Sequence, residues 1–476
     1  MPHGSTLRPA PALALAYSVP SLALSATTDP YTHRPGEQRT PPVGFRSRLR
    51  HLGPGIVISG TIVGSGEILL TSSLGAQAGF LLLWWVLLSC WSKSIVQAEL
   101  ARYIIISGDT YLRALNRLPG RIATRHGGIA WPIPLGLLGF IPSLLTMGGI
   151  VGGASQGLQL LIGFDPVTNT AIVALAVMAV LGTGAYLRFE RSMIALVMSF
   201  TVITLVCAIT MQFSDYAVSL PDVASGLRFD FPVEFAVLAL AMYGYTGVNS
   251  SESAAYTYWC IEKGWPSHIG ADRSDPGWLD RARGWIRVLH TDVWTTLILL
   301  TLATLPFYML GAGVLHRSGA TPSGLDTIRT LSAMFTDVLG GWSLWLFGCG
   351  AFFIFFSTAL SGIAAGGRFV PDYLIELGLL DRHRVNRRHW IRGYVLIVPV
   401  TSFILYLTFE SPVLLVTIGA VTAALFLPLQ SGATLWLQSR FLDPRVRPGT
   451  LAKGTLWTVF VFQLAMAAAV IWFVIL

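Results

Sequence analysis

Two short stretches place acidic side chains where the chain otherwise offers apolar ones. From Thr61 to Glu67 the sequence reads T-I-V-G-S-G-E, and from Thr246 to Glu252 it reads T-G-V-N-S-S-E, so Thr, Val, Ser and Glu coincide in register. Each couples a carboxylate to small and polar residues: Gly60, Gly64, Ser65 and Gly66 in the first, Gly244, Gly247, Asn249, Ser250 and Ser251 in the second. Binding of an ion or a polar solute is the chemistry open to such a set. Unwound backbone leaves carbonyl and N–H groups unpaired, which is tolerable at membrane depth only where they line a cavity. A carboxylate there is costly unless a proton, a cation or a basic partner neutralises it. Glu67 and Glu252 are therefore the foremost candidates. Gly64, Ser65, Thr246, Asn249, Ser250, Ser251 and Tyr245 complete a candidate substrate or ion site, with Glu67, Glu252 and Asn249 as its candidate metal ligands. Lys93, in the middle of "LLSCWSKSIVQAELARY", is the candidate charge partner, and Glu99 follows it in the same apolar run.

Other chemistries lack their residues. The serine and histidine arrangements of hydrolases do not occur at workable spacing, so no enzyme is expected. The run "TMGGIVGGASQG" lacks the GK[ST] of a phosphate loop, and its Gly149 and Gly153, four apart on one helix face, read as close helix packing. Cys90, Cys207, Cys260 and Cys349 lie far apart and show neither metal spacing nor a disulfide framework. No cofactor is expected; a transported divalent cation or proton is what the site would hold.

The elements that must position these residues are membrane helices. Of 476 residues 53% are hydrophobic and 12% charged, a balance that soluble domains do not tolerate. A bilayer core takes about 20 apolar helical residues to cross. By that measure eleven spans fall near 53–75, 79–103, 130–161, 168–187, 193–212, 232–259, 291–313, 340–366, 393–409, 412–437 and 454–476. The two polar stretches interrupt spans one and six, the corresponding positions of a five-plus-five inverted repeat, 53–212 and 232–437, with 454–476 as an extra helix. The fold class is thus an all-α polytopic membrane protein with broken helices one and six.

With a cytoplasmic N-terminus, the N-terminal arm and the even-numbered connections hold 28 of the 32 Lys and Arg. That is the asymmetry of the positive-inside rule, and it assigns the net charge of +8 to topology rather than to nucleic acid. The partners are then the lipid bilayer and a small ion or small-molecule substrate. Residues 1–45, rich in Pro, Ser, Thr and Ala, read as a disordered arm preceding a transmembrane domain at 46–476. The stretch 260–290, with "SDPGWLDRARGW" and Asp275 as a cap, reads as a short surface helix. The compact chain suits a bacterial inner membrane.

From Gly53 to about Arg117 the chain resembles the Nramp family of proton-coupled divalent-metal transporters. Gly53-Pro54-Gly55, eight residues, then G-S-G-E at 64–67 stand where that family has GPG, eight residues and DPGN; "GAQAGFLLLWW", Gln97 and "ELARY" follow. The resemblance implies the LeuT-like inverted-repeat fold with alternating access around helices one and six. It does not carry over the metal ligands. The family's first-helix Asp falls on Gly64 and its Asn on Glu67, and the sixth-helix Met-Pro-His falls on Asn249, Ser250 and Ser251. An all-oxygen set suits Mg, Ca or Mn better than softer metals. A secondary transporter of a hard divalent cation, with protons on one glutamate, is the leading expectation; an ion-coupled symporter of an amino acid or amine is the alternative. A sensor that binds without transporting is the third.

Overall fold

The computed structural model describes residues 31, 36–52, 64–124, 127–183, 186–382 and 385–475. Gly53-Pro54-Gly55, Gly60 and Thr61 lie outside the described residues, and with them the first half of span one.

Helices occupy the remaining expected spans. Span one continues as a π-helix, Gly66–Thr71, and an α-helix, Ser72–Ala78. Span two is Leu83–Ser107, and span three Phe140–Ile162 is preceded by the shorter helix Pro132–Leu138. Spans four and five are Pro166–Gly182 and Tyr186–Thr210. Span six is two helices, Ala236–Tyr245 and Ser250–Glu262. Spans seven to eleven begin at Trp278, Ser343, Arg387, Pro412 and Thr450. Seven of these are long and apolar enough by themselves to cross a membrane. The other four fall short: span four is an apolar helix of only 17 residues, span six is broken, span two carries Lys93, Gln97 and Glu99, and only part of span one is described.

Two groups of helices form the body. Span three packs along spans eight, nine and ten, while spans one, two, six and seven pack together, and span ten touches both groups. Glycine permits the close approaches. A β-carbon on Gly149 would lie 2.7 Å from Val416, one on Gly153 would lie 2.7 Å from Phe355, and one on Gly75 would lie 2.6 Å from the Tyr308 carbonyl. The small residues of span three therefore serve packing, as their spacing indicates.

Two differences from the sequence expectation have local causes. The stretch near 280 is not a separate surface helix, because Trp278–Leu310 runs unbroken into span seven. Nothing between Trp278 and His290 stops a helix, and its apolar face, with Trp278 and Trp285 buried, packs under the neighbouring loop. Asp275 is not the cap: Gly277 holds that position, and the Asp275 carboxylate pairs with Arg281. The second difference is a hairpin in the connection after span two, where Arg121–Thr124 pairs antiparallel with Gly127–Ala130. The arm also packs before span one: Pro41 lies against Gly284, and the Trp285 indole donates to the Arg39 carbonyl at 3.2 Å.

Candidate functional site

The site forms where span six stops being helical. Ala236–Tyr245 ends as Thr246 turns to extended backbone, Gly247 adopts φ +80°, and Ser250 starts the second helix. A side chain at Gly247 would have room, with its nearest neighbour 3.5 Å away, so the left-handed backbone is what requires glycine. Asn249 caps the second half. Its Oδ1 accepts the Glu252 N–H at 2.9 Å, and the Glu252 carboxylate accepts the Asn249 N–H at 3.0 Å. This reciprocal capping box satisfies two orphan donors and holds a carboxylate at the positive end of a helix.

Span one meets the break side by side. A β-carbon on Gly66 would lie 3.0 Å from the Tyr245 ring. Ser65 Oγ is 3.2 Å from the Tyr245 hydroxyl, and the Thr71 and Thr246 hydroxyls are 3.0 Å apart. Glu67 spans the junction. Its carboxylate accepts the Gly64 N–H at 2.9 Å, the Gly247 N–H at 3.4 Å and the Thr304 hydroxyl at 3.3 Å. The glutamate of span one is thereby enclosed by donors from spans one, six and seven.

Lys93 reaches the same place from span two and is 1% exposed. It is not tied to a carboxylate, contrary to its expected role as a charge partner. Its ammonium donates to the carbonyls of Tyr243 and Thr246, at the end of the first half-helix. Glu99 takes part in a separate buried pair with Arg102, at 2.9 Å, joined by Gln438 from span ten.

A cavity of about 220 Å³ opens on the other side of the break. Tyr245, Asn249, Ser250, Ser251 and Glu252 form its wall, and it extends to Tyr111 and Leu115 in the connection after span two and to Tyr373 at the end of span eight. Glu67 does not line it. The two glutamates therefore flank the break rather than face one chamber: Glu252 is on the cavity wall, and Glu67 is 1% exposed behind it. Among the described residues no group of three or more His, Cys, Asp or Glu side chains converges as a metal site. An ion held here would be liganded by Glu252, Asn249 and hydroxyl or carbonyl oxygens.

Two participants were missed by sequence reasoning. Gln430 of span ten donates to the Ser250 carbonyl at 2.7 Å and to the Tyr111 hydroxyl at 3.1 Å. An amide inside the apolar run "FLPLQSGATLW" was the signal that could have found it. Thr304 carries no such signal, since a threonine is unremarkable in an apolar helix.

The sequence profile described as Natural resistance-associated macrophage protein-like matches residues 55–473. Among curated proteins, none matches. Solved structures share the fold. A manganese transporter of Eremococcus coleocola, in complex with an aromatic bis-isothiourea substituted compound, superposes with a TM-score of 0.64 at 16% identity, covering 90% of this chain and 89% of that one. Mhp1, a nucleobase-cation-symport-1 family transporter with bromovinylhydantoin bound, superposes with a TM-score of 0.56 at 14% identity, covering 89% and 92%. MhsT in complex with L-phenylalanine gives 0.50 at 13% identity, covering 88% and 98%.

Proposed function

Because the chain belongs to the Nramp-like family, we propose that it moves a hard divalent cation of the Mg or Mn class by alternating access around spans one and six. The protein is an integral membrane transporter of metal ions, not an enzyme. The observation that carries the choice of cargo is the set of side chains the break itself brings to the cavity, Glu252, Asn249, Ser250 and Ser251, which offer oxygen donors; the one thioether on the cavity wall, that of Met147, comes from span three and not from the break. Hard cations take carboxylate, carbonyl and hydroxyl oxygens. The similar structures include a manganese transporter. The small-organic-solute alternative is not favoured.

The chain represents a divergent branch of the family on this reading, since Gly64, Glu67 and Asn249 stand where the resemblance puts the family's Asp, Asn and Met ligands, and Ser251 where it puts the His tied to proton movement. The N-terminus is cytoplasmic and the membrane that of a bacterial cell. Support comes from the cavity, which reaches the connection carrying Arg113, Arg117 and Arg121, the basic side of the molecule. The cavity is then an inward-facing one. A proton on Glu252 is available as the coupling ion, released when the metal binds.

Flux in proteoliposomes tests the reading. The purified protein is expected to accumulate Mn or Mg, and Glu252→Gln to lose at least about tenfold of that uptake, as removal of one anionic ligand to a dication would cause. Full uptake by the folded Glu252→Gln variant, or uptake of an organic amine with no response to either metal, would defeat it.

A further inference from the structure

The first half of span six ends with carbonyls that have no helical partner. Gly247, four residues after Tyr243, gives its N–H to Glu67, and the chain leaves the helix at Thr246. The Tyr243 and Thr246 carbonyls are thus left at the negative end of a ten-residue helix, inside the protein. Such oxygens need a donor or a cation. Lys93 provides one from span two. Its ammonium donates to both carbonyls and lies 5.1 Å from the centroid of the Tyr243 ring. The Ser89 hydroxyl, one turn earlier in span two, donates to the Thr246 carbonyl as well, at 3.3 Å. Among the described residues no carboxylate is within 4.0 Å of the Lys93 nitrogen. The surroundings are those of a cation coordinated by backbone oxygen and an aromatic face, not those of an ion pair.

The break therefore has two halves of opposite electrostatic character. Its carbonyl half faces span two and is filled by Lys93; its N–H half is capped by Asn249 and Glu252 and lies on the cavity wall. We infer that the Lys93 ammonium is a tethered cation that permanently fills the carbonyl half of the break and so bars the transported ion and any dissolved cation from those carbonyls. This rests on the transport reading above, since it says which part of that same site the cargo cannot use. Lys93 acts through the backbone it holds and is a positioning residue. A consequence is that transport requires no dissolved cation besides the cargo and the coupling proton. Deleting the ammonium should create that requirement, because the vacated carbonyls would still need a positive charge.

The test compares the parent protein with Lys93→Ala in sodium, methylammonium or choline chloride at equal ionic strength. The parent is expected to show the same thermal stability and metal uptake in all three salts. Lys93→Ala is expected to unfold at lower temperature and to lose about tenfold in uptake in choline, and to recover both in sodium or methylammonium, which are small enough to refill the vacancy. Equal stability of parent and variant in choline, or a variant that neither small cation restores, overturns the inference. If Lys93→Ala gives no folded protein in any salt, Lys93→Gln decides, because it keeps an N–H donor without the charge: a loss of uptake of about tenfold supports the tethered cation, and uptake equal to the parent overturns it. Should the parent itself move no metal, the transport reading fails, while the salt-specific stability of Lys93→Ala still decides the role of the lysine.

Discussion

At the scale of single residues, the two glutamates have different duties despite their matching positions in the two stretches. Glu67 receives three donors from the protein, two of them backbone N–H groups that would otherwise be orphaned. Removing an acceptor from buried donors costs about 1–3 kcal/mol for each one stranded. Glu67→Ala is therefore expected to lower the thermal midpoint sharply and to reduce folded yield, while Glu67→Gln, which keeps a carbonyl oxygen, retains most of the stability. Size-exclusion profiles and melting curves in detergent read the difference. Glu252 gives one carboxylate interaction to its own helix cap and lies on an open wall, so Glu252→Gln is expected to act on transport more than on stability. A third prediction concerns Glu99. Its carboxylate accepts two guanidinium bonds from Arg102, at 2.9 and 3.0 Å, inside the protein. Arg102→Met would leave that charge unpaired and is expected to destabilise by about 3–5 kcal/mol, checked by chemical unfolding.

At the scale of elements, the break and its neighbours are held by close approaches that only small residues permit. A β-carbon at Gly75 would meet the backbone of span seven, 2.6 Å from the Tyr308 carbonyl and 2.8 Å from the Ala312 nitrogen. Backbone cannot yield as a flexible side chain can. Gly75→Val is expected to push spans one and seven apart, lowering folded yield and disturbing the donor set of Glu67, in part because Thr304 of span seven belongs to it. By contrast, Gly393 meets nothing within 4 Å, and Gly393→Ala is expected to be neutral or slightly stabilising in the same assay. The sequence showed that span six is interrupted, because Gly244, Gly247, Asn249, Ser250 and Ser251 set small and polar residues in an apolar run; that Asn249 caps the second half is seen only in the structure. It did not show that Trp278–Leu310 is one helix, since the polar face of its first turns hides a continuous apolar stripe.

At the scale of the whole molecule, the arm and the connection after span six form a small buried junction on the basic side. His268 is buried, with its ring 4.8 Å from that of Trp285, and its carbonyl accepts the Arg39 N–H at 3.1 Å. Burial, with a smaller contribution from the Arg39 charge, pushes the His268 imidazole down to about 4. Because the folded value lies below the unfolded one, the unfolded chain binds the proton more readily. His268 thus costs the fold nothing by titration above about pH 6.5 and progressively more as pH falls toward about 4. Thermal midpoints between those limits should fall more steeply for the parent than for His268→Gln. A parallel fall in both proteins would show that another group governs the acid limb.

The sequence by itself determined the membrane class, the placement of the spans, the interruption of span six and the acidic character of the site. These are local properties: apolar run length, glycine and asparagine at a turn, and the sign of charge in successive connections. Only the tertiary structure decided which carboxylate faces the cavity and what Lys93 holds. Lys93 and the Tyr243 carbonyl are 150 residues apart in the chain, and no local pattern specifies which backbone oxygen a long side chain will meet across a helix interface. Packing brings spans two and six together there, and the low dielectric of the interior then selects the ammonium and the unpaired carbonyls as partners, because neither could be left alone.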